Sequence, residues 1–171
     1  MSSLTPDASH ALLMAIQNEA DIVQIYQHML KQVRNSNTRR MLERLIAEEQ
    51  QHEQRMRIRL SEDGMEGPDK EEPVPDIELP NRSQLMDIEL ENCTVAELIS
   101  LAIENEGINR DFYKTQHDRA EDWEVKAIFN WLVEQEEKHI SHLQNEYDKY
   151  QNYEEVNFSD QAEEGESAPE E

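Results

Sequence analysis

Cysteine, glycine and long apolar runs are scarce in this sequence, and each scarcity excludes a class of protein. The only cysteine, Cys93, cannot build an intramolecular disulfide, a Cys-x-x-Cys redox pair or a four-cysteine iron site. Only four glycines and six prolines interrupt a chain of 171 residues, whereas glutamate, glutamine, leucine and alanine are common and favour helices. No apolar run approaches the roughly 20 residues of a membrane span, and nothing resembles a signal peptide. We therefore expect a cytoplasmic protein without a membrane partner.

Positive charge is also scarce. The sequence has 16 lysines and arginines against 39 aspartates and glutamates, which gives a formal net charge of −23. This sign argues against nucleic acid or an anionic membrane surface as a partner, and it is compatible with attracting cations. Most of these charges need no explanation beyond solubility.

Hydrophobic periodicity predicts an all-α fold with four long helices. Apolar residues recur at three- and four-residue spacing, as on one face of a helix. Thr94 and Glu97 fit the capping box that starts a helix. Trp123 and Trp131 are expected to be packing residues. The predicted helices cover about residues 6–34, 38–60, 94–119 and 123–150.

A long connection separates the helices into two pairs. Residues 61–93 contain two of the four glycines and four of the six prolines, which forbid a continuous helix and predict a mostly extended crossover. The predicted bundle covers residues 1–153, with hairpins at about 6–60 and 94–153. Residues 154–171 become acidic and lose their periodicity, which predicts a disordered tail.

The two hairpins look like copies of one another. The segment 15–19 (AIQNE) recurs 87 positions later as 102–106 (AIENE), and Tyr26 recurs as Tyr113. The same offset relates Leu45, Glu49 and His52 to Leu132, Glu136 and His139. A duplicated helical hairpin explains this repeat.

Glutamate and histidine recur at a spacing typical of metal ligands. The pattern Glu-x-x-His occurs only twice, and residues three apart share one face of a helix, so each motif aims a carboxylate and an imidazole at one point. Another glutamate stands 30 positions before each motif. The midpoint between the paired glutamates falls at or beside a predicted turn, so each antiparallel hairpin brings its three residues to one height. The two triads are Glu19, Glu49 and His52, and Glu106, Glu136 and His139.

The four glutamates occupy the apolar stripes of their helices, where an unpartnered carboxylate is rarely found. A single Glu-x-x-His usually lies on a solvated face, and a single buried glutamate can be protonated or paired with arginine. Six such residues in two equivalent copies favour one shared site instead. Two divalent cations would cancel four negative charges, so the sequence predicts two metal ions.

This pattern resembles the di-iron domain of rubrerythrins: Ala-Ile-x-x-Glu, a tyrosine seven residues later, and then Glu-x-x-His, over about residues 8–150. The resemblance implies a ferritin-like four-helix bundle, made of two helical hairpins joined by a long crossover. It implies two iron ions, and manganese or zinc would also accept these donors. Tyr26 and Tyr113 would orient carboxylates through hydrogen bonds, and Glu49 and Glu136 would bridge the ions. The implied ligands are Glu19, Glu49, His52, Glu106, Glu136 and His139.

The resemblance also implies a function. A rubrerythrin-like protein would be an oxidoreductase that reduces peroxide or O2 and protects against oxidative stress. Rubrerythrins carry a further glutamate where this chain has Asn109, and they usually carry a rubredoxin domain, which a single cysteine cannot build. Electrons would therefore come from a separate protein. Two alternatives remain open: a ferroxidase for iron storage, which a likeness to the bacterioferritin site suggests, and a metal-stabilised structural or binding protein without turnover.

For the assembly we expect a homodimer, as in rubrerythrin relatives. Each hairpin carries half of the ligands, and an extended crossover at about 3.3 Å per residue is long enough to reach a second bundle. An exchange of hairpins between chains and a closed single-chain bundle are both compatible with the sequence.

Overall fold

The computed structural model describes residues 6–62, 79–91 and 93–163, with side chains over residues 7–62, 79–91 and 93–151. All regular secondary structure in these segments is helical, which confirms the all-α prediction. Four long helices form the predicted bundle, and a short fifth helix lies in the crossover. The helices are α1 (Pro6–Gln32), α2 (Ser36–Glu62), α3 (Ser83–Met86), α4 (Val95–Arg119) and α5 (Trp123–Glu163).

Polar side chains fix the starts of three long helices by accepting hydrogen bonds from backbone N–H groups that have no partner within the helix. Asn35 Oδ1 accepts from the N–H groups of Asn37 and Thr38 at the start of α2. Asp122 Oδ1 plays the same part for α5. The predicted capping box of Thr94 and Glu97 is present at the start of α4.

Each hairpin packs along its length, and the two hairpins close on one another. The most extensive interfaces join α1 to α2 and α4 to α5, while α1 also contacts α5 and α3, and α2 contacts α4. The apolar core falls into two clusters at opposite ends of the bundle. One contains Tyr26, Leu42, Leu45, Leu98 and Leu143, and the other contains Leu12, Ile16, Leu60, Tyr113 and Leu132.

Between the two clusters every long helix contributes polar residues to a buried layer. In α1, for example, Ile16 belongs to one cluster and Ile22 to the other, with Glu19 between them. The antiparallel course of the hairpins puts the corresponding residues of all four helices at the same level. Burying a leucine-sized side chain stabilises a fold by about 1.5–3 kcal/mol, so the two apolar clusters hold the polar layer in place.

The structure differs from the prediction in three places. Helix α5 continues to Glu163, beyond the predicted end at about residue 150 and into the predicted tail from residue 154, because no proline or glycine interrupts residues 124–163. The crossover is not simply extended, since it contains α3, whose Leu85 is buried against one apolar cluster. Trp123 is 74% exposed as the first residue of α5, so its prediction as a packing residue was wrong.

The rest of the crossover (63–78 and 92) and the last part of the predicted tail (164–171) lie outside the described residues. Among the helices that the structure describes, none has both the length and the apolar character needed to cross a membrane.

Candidate metal centre

The polar layer brings together all six residues that the sequence singled out. The four glutamates are completely buried, His52 is 6% exposed and the His139 side chain is 13% exposed. They come from the middle of α1, α2, α4 and α5 of one chain. Their potential ligand atoms form three overlapping groups within which all atoms lie within 4.8 Å of one another. The groups are Glu49–His52–His139, Glu19–Glu49–His52–Glu136 and Glu106–Glu136–His139.

Glu49 lies between the two histidines. Its Oε2 is 3.6 Å from Nδ1 of His52, and its Oε1 is 3.4 Å from Nδ1 of His139. The two imidazole rings are stacked, with centroids 4.8 Å apart and planes within 8° of parallel. Glu19 Oε2 lies 3.8 Å from His52, and Glu106 Oε2 lies 3.5 Å from His139. Each histidine therefore lies beside one outer glutamate, and Glu49 faces both histidines.

Tyrosines from the opposite hairpin hold one oxygen of each outer glutamate. Tyr113 in α4 donates to Oε1 of Glu19 in α1 at 2.5 Å, and Tyr26 in α1 donates to Oε1 of Glu106 in α4 at 2.7 Å. The second oxygen, Oε2, of both glutamates is buried without a hydrogen bond to any described residue. The tyrosines therefore leave one oxygen of each carboxylate directed into the layer.

The two remaining glutamates are held differently. Both carboxylate oxygens of Glu49 and both of Glu136 are buried, and no described residue forms a hydrogen bond with any of them. Nδ1 of each histidine in the layer is also without such a partner. Buried polar atoms almost always have a partner, so this concentration of unpartnered donor atoms in one layer calls for a ligand.

The separations fit a cation better than they fit direct hydrogen bonds. The N···O distances of 3.4–3.8 Å exceed the roughly 2.7–3.2 Å of a normal hydrogen bond. Two atoms that each bind one ion at about 2.1 Å lie roughly 3–3.5 Å apart, which is close to the observed values. The buried glutamate and histidine cluster could therefore hold metal ions.

Comparison with known families agrees with this chemistry. The rubrerythrin family model matches residues 10–95, which is half of the chain and covers α1 from residue 10 onwards, α2 and α3. The chain belongs to the rubrerythrin family. No curated protein and no solved structure matches it. The matched segment contains Glu19, Glu49 and His52, and the second hairpin of the chain carries its copies of them 87 positions later.

The crowding of carboxylates changes their proton affinities. Burial, followed by the negative charge of Glu49, raises the pKa of Glu19 to about 8. Burial and the charge of Glu106 raise the pKa of Glu136 well above its usual range. Burial also opposes ionisation of Glu49, but the adjacent imidazoles of His139 and His52 outweigh it, so the pKa of Glu49 is lowered. The layer thus contains one glutamate that is stabilised as an anion and two that resist ionisation.

The histidines and tyrosines respond to the same field. Burial lowers the pKa of each histidine, but the adjacent carboxylates outweigh it and raise the pKa of His52 to about 9 and that of His139 to about 10. Burial and the charges of Glu106 and Glu19 raise the pKa values of Tyr26 and Tyr113 well above 10.0. The two phenols therefore remain protonated hydrogen-bond donors.

Sequence reasoning misses four residues that surround the tyrosines. Asn18 and Asn105 belong to the 87-residue repeat, but the repeat alone gives them no role, and Asn109 stands out only as a departure from the family pattern. Arg82 lies in the crossover, where no periodicity or repeat draws attention to it. All four are buried and joined by hydrogen bonds.

Proposed function

We propose that this rubrerythrin-family protein is a di-iron oxidoreductase that reduces hydrogen peroxide or O2. Its two iron ions would be held by the six residues of the polar layer, the candidate metal centre. The observation that carries the proposal is the distribution of unpartnered carboxylate oxygens within that layer. The ligands would be Glu19, Glu49, His52, Glu106, Glu136 and His139.

The hydrogen bonds distinguish two kinds of glutamate ligand. Glu19 and Glu106 each have one oxygen bonded to a tyrosine and one unpartnered oxygen, which suits a carboxylate that binds a single ion. Glu49 and Glu136 each have two unpartnered oxygens, which suits a carboxylate that bridges two ions. The same division follows independently from the family resemblance.

Charge balance supports two ions rather than one. Among the described residues, no arginine or lysine forms an ion pair with these four carboxylates. In their ionised form they would carry four negative charges, which two divalent cations would neutralise. Oxygen and imidazole donors suit iron and manganese, and they also accept zinc. Family membership favours iron.

The burial of the centre supports a small oxidant as the substrate. The four glutamates are fully buried, and His139 is the most exposed of the six, with 13% of its side chain accessible. Such a site admits a molecule of the size of peroxide or O2 more readily than an organic substrate. When bound, two ferrous ions would supply one electron each, so that one hydrogen peroxide and two protons yield two waters.

We also propose a separate electron-donor protein and a homodimeric assembly. The lone Cys93 cannot form the four-cysteine site of a rubredoxin domain within this chain, so the electrons that restore the ferrous state would come from another protein. The mass of the iron-loaded protein in solution tests the dimer. A large hollow particle would instead favour storage of iron.

Anaerobic titration with Fe2+ followed by a peroxide challenge tests the proposed function. We expect saturation at two ions per chain, oxidation of both ions by one equivalent of peroxide, and retention of two ions per chain afterwards. Continued accumulation of ferric iron beyond two per chain would support a ferroxidase. Metal binding without any peroxide-driven optical change would support a structural role, and saturation at one ion would contradict the paired centre.

Two glutamates on one helix provide matched variants. Glu136→Ala removes a proposed bridging ligand and should abolish the binding of two ions. Glu137→Ala alters the exposed neighbouring residue and should leave the stoichiometry at two. Equal metal binding by both variants would contradict the proposed ligand set.

A further inference from the structure

Arg82 is a buried cation close to the candidate metal centre but not part of it. It directly precedes the short helix α3 in the crossover, and it is only 6% exposed. Among the described residues it has no carboxylate partner, and its hydrogen bonds go to side-chain amide oxygens. Burying an arginine without a carboxylate partner costs free energy. We therefore expect its hydrogen bonds to have a function.

Three asparagines accept hydrogen bonds from this guanidinium. Nη2 donates to Oδ1 of Asn18 in α1 at 2.8 Å, and Nε donates to Oδ1 of Asn105 in α4 at 3.1 Å. Nη2 also donates to Oδ1 of Asn109. Arg82 therefore links the first helix of one hairpin to the first helix of the other. All three asparagines are completely buried.

Asn18 connects Arg82 to Glu19 through hydrogen bonds that include Tyr113. The Nδ2 group of Asn18 donates to the hydroxyl oxygen of Tyr113 at 2.9 Å, and that hydroxyl donates to Oε1 of Glu19. Arg82 can only donate hydrogen bonds, so it requires the carbonyl oxygen of Asn18 to face it and the NH2 group to face Tyr113. Because the NH2 group of Asn18 occupies a lone pair of the Tyr113 hydroxyl oxygen, the hydroxyl proton points to the carboxylate of Glu19.

Asn105 forms the equivalent path to Glu106. Its Nδ2 group donates to the hydroxyl oxygen of Tyr26 at 3.1 Å, and Tyr26 donates to Oε1 of Glu106. One guanidinium thus sets the direction of the hydrogen bonds along two equivalent paths, Asn18–Tyr113–Glu19 and Asn105–Tyr26–Glu106. We call these two paths the relays. Each relay ends on a glutamate whose other oxygen is unpartnered.

We propose that Arg82 is a positioning residue for the candidate metal centre. By fixing the orientation of Asn18 and Asn105, it makes both tyrosines donate to Glu19 and Glu106 and so presents Oε2 of each to a metal ion. This inference rests on the proposed metal centre. It adds a residue of the crossover to a site whose ligands all lie in the two hairpins.

Titration of the metal-free protein with Co2+, an air-stable divalent probe, tests this role through a double-mutant cycle. Arg82→Met should weaken Co2+ binding by about tenfold or more, as loss of a hydrogen-bond partner of a ligand commonly does. In a background of Tyr26→Phe and Tyr113→Phe, the same substitution should change the affinity by less than about twofold, because the relay is already broken. This coupling separates positioning from a general loss of stability.

Arg39→Met is the matched control. Arg39 donates to the backbone oxygens of Leu30 and Val33, so its loss removes arginine hydrogen bonds without touching the relay. It should leave Co2+ affinity unchanged. If Arg82→Met fails to fold, Asn105→Leu replaces it in the cycle, because that change interrupts one relay and retains the arginine.

The outcomes separate this inference from the proposed function. Wild-type protein that binds no Co2+ would overturn both. Wild-type binding of two ions, together with unchanged or tighter binding by Arg82→Met, would overturn the positioning role alone. Equal losses from Arg82→Met with and without the tyrosines, or a matching loss from Arg39→Met, would also overturn the positioning role.

Discussion

Replacing Glu136 by methionine should stabilise the metal-free protein and destabilise the metal-loaded protein relative to wild type. Both oxygens of Glu136 are buried without a hydrogen bond to a described residue. A buried acceptor without a hydrogen bond destabilises the fold by about 1–3 kcal/mol. Methionine has a similar length and a flexible apolar side chain, so it can occupy the same space without an unsatisfied polar atom.

The expected gain in the free energy of unfolding is about 1–3 kcal/mol for the metal-free protein, within the range for replacing buried charged groups by apolar ones. Burial raises the pKa of Glu136, so this carboxyl holds a proton more readily, and the proton reduces the cost of burying it. The expected gain in the free energy of unfolding is therefore smaller than the cost of two unsatisfied acceptors. A gain of about 2 kcal/mol corresponds to a rise in Tm of about 4–8 °C for a chain of this size.

With metal ions bound, wild type should be more stable than Glu136→Met. A ligand at 1,000 times its Kd stabilises the folded state by about 4 kcal/mol per site, and the variant lacks a proposed bridging carboxylate. Differential scanning calorimetry with a chelator and then with excess Co2+ measures both states. Glu137→Met serves as the control because it changes an exposed neighbour on the same helix, and it should follow wild type in both conditions.

Two results would refute this reasoning. A metal-free Glu136→Met protein that is less stable than wild type would show that the unpartnered carboxylate does not destabilise the fold. An equal stabilisation of wild type and variant by Co2+ would show that Glu136 is not a metal ligand. The rank reversal is therefore more informative than either measurement alone.

Three further predictions concern the bundle. Thr94→Ala should lower the free energy of unfolding by about 1 kcal/mol in urea denaturation, because it removes the capping box of α4, whereas Ser100→Ala should not. Leu45→Ala should cost about 2–5 kcal/mol in the same assay, because Leu45 is 1% exposed in an apolar cluster. If the proposed homodimer exchanges hairpins, co-refolding Glu49→Ala chains with Glu136→Ala chains should restore part of the Co2+ binding. No recovery would rule out that exchange.

The fold could be predicted from the sequence because its signals are local and repeated. Helical periodicity, the capping box at Thr94 and the prolines of the crossover each depend on neighbouring residues only. The end of α5 could not be predicted in the same way. Its residues after position 150 lack an apolar stripe but also lack a helix breaker, and periodicity says little about where such a segment ends.

The six-residue cluster could be predicted because helix geometry converts sequence spacing into position. The interval of 30 residues between Glu19 and Glu49 is centred beside the turn of an antiparallel hairpin, so it places both at one height. The hydrogen bond of Tyr113 to Glu19 could be anticipated only through the family resemblance. It joins residues 94 positions apart in different hairpins, and no spacing rule connects them.

Arg82 illustrates where sequence reasoning reaches its limit. The 87-residue repeat makes Asn18 and Asn105 equivalent, but the crossover occurs once, so a residue that serves both halves has no copy to reveal it. Its contacts depend on the return path of a segment rich in proline and glycine, and that path follows from packing of α3 against the bundle rather than from periodicity.

Under the proposed function, the same polar layer destabilises the fold without metal and stabilises it with metal. Each hairpin alone would expose two glutamates and a histidine to water, where ionisation costs little. When the hairpins dock, the two apolar clusters close over all four carboxylates, and protons and the adjacent imidazoles offset part of the free energy of that burial, whereas two cations would offset more of it. Docking of the hairpins and metal binding are therefore coupled, and the tyrosine contacts that cross between α1 and α4 form only when both hairpins are in place. Metal affinity consequently reports on the whole bundle, so a ligand variant is informative only beside a control on the same helix or a structural arginine outside the relay.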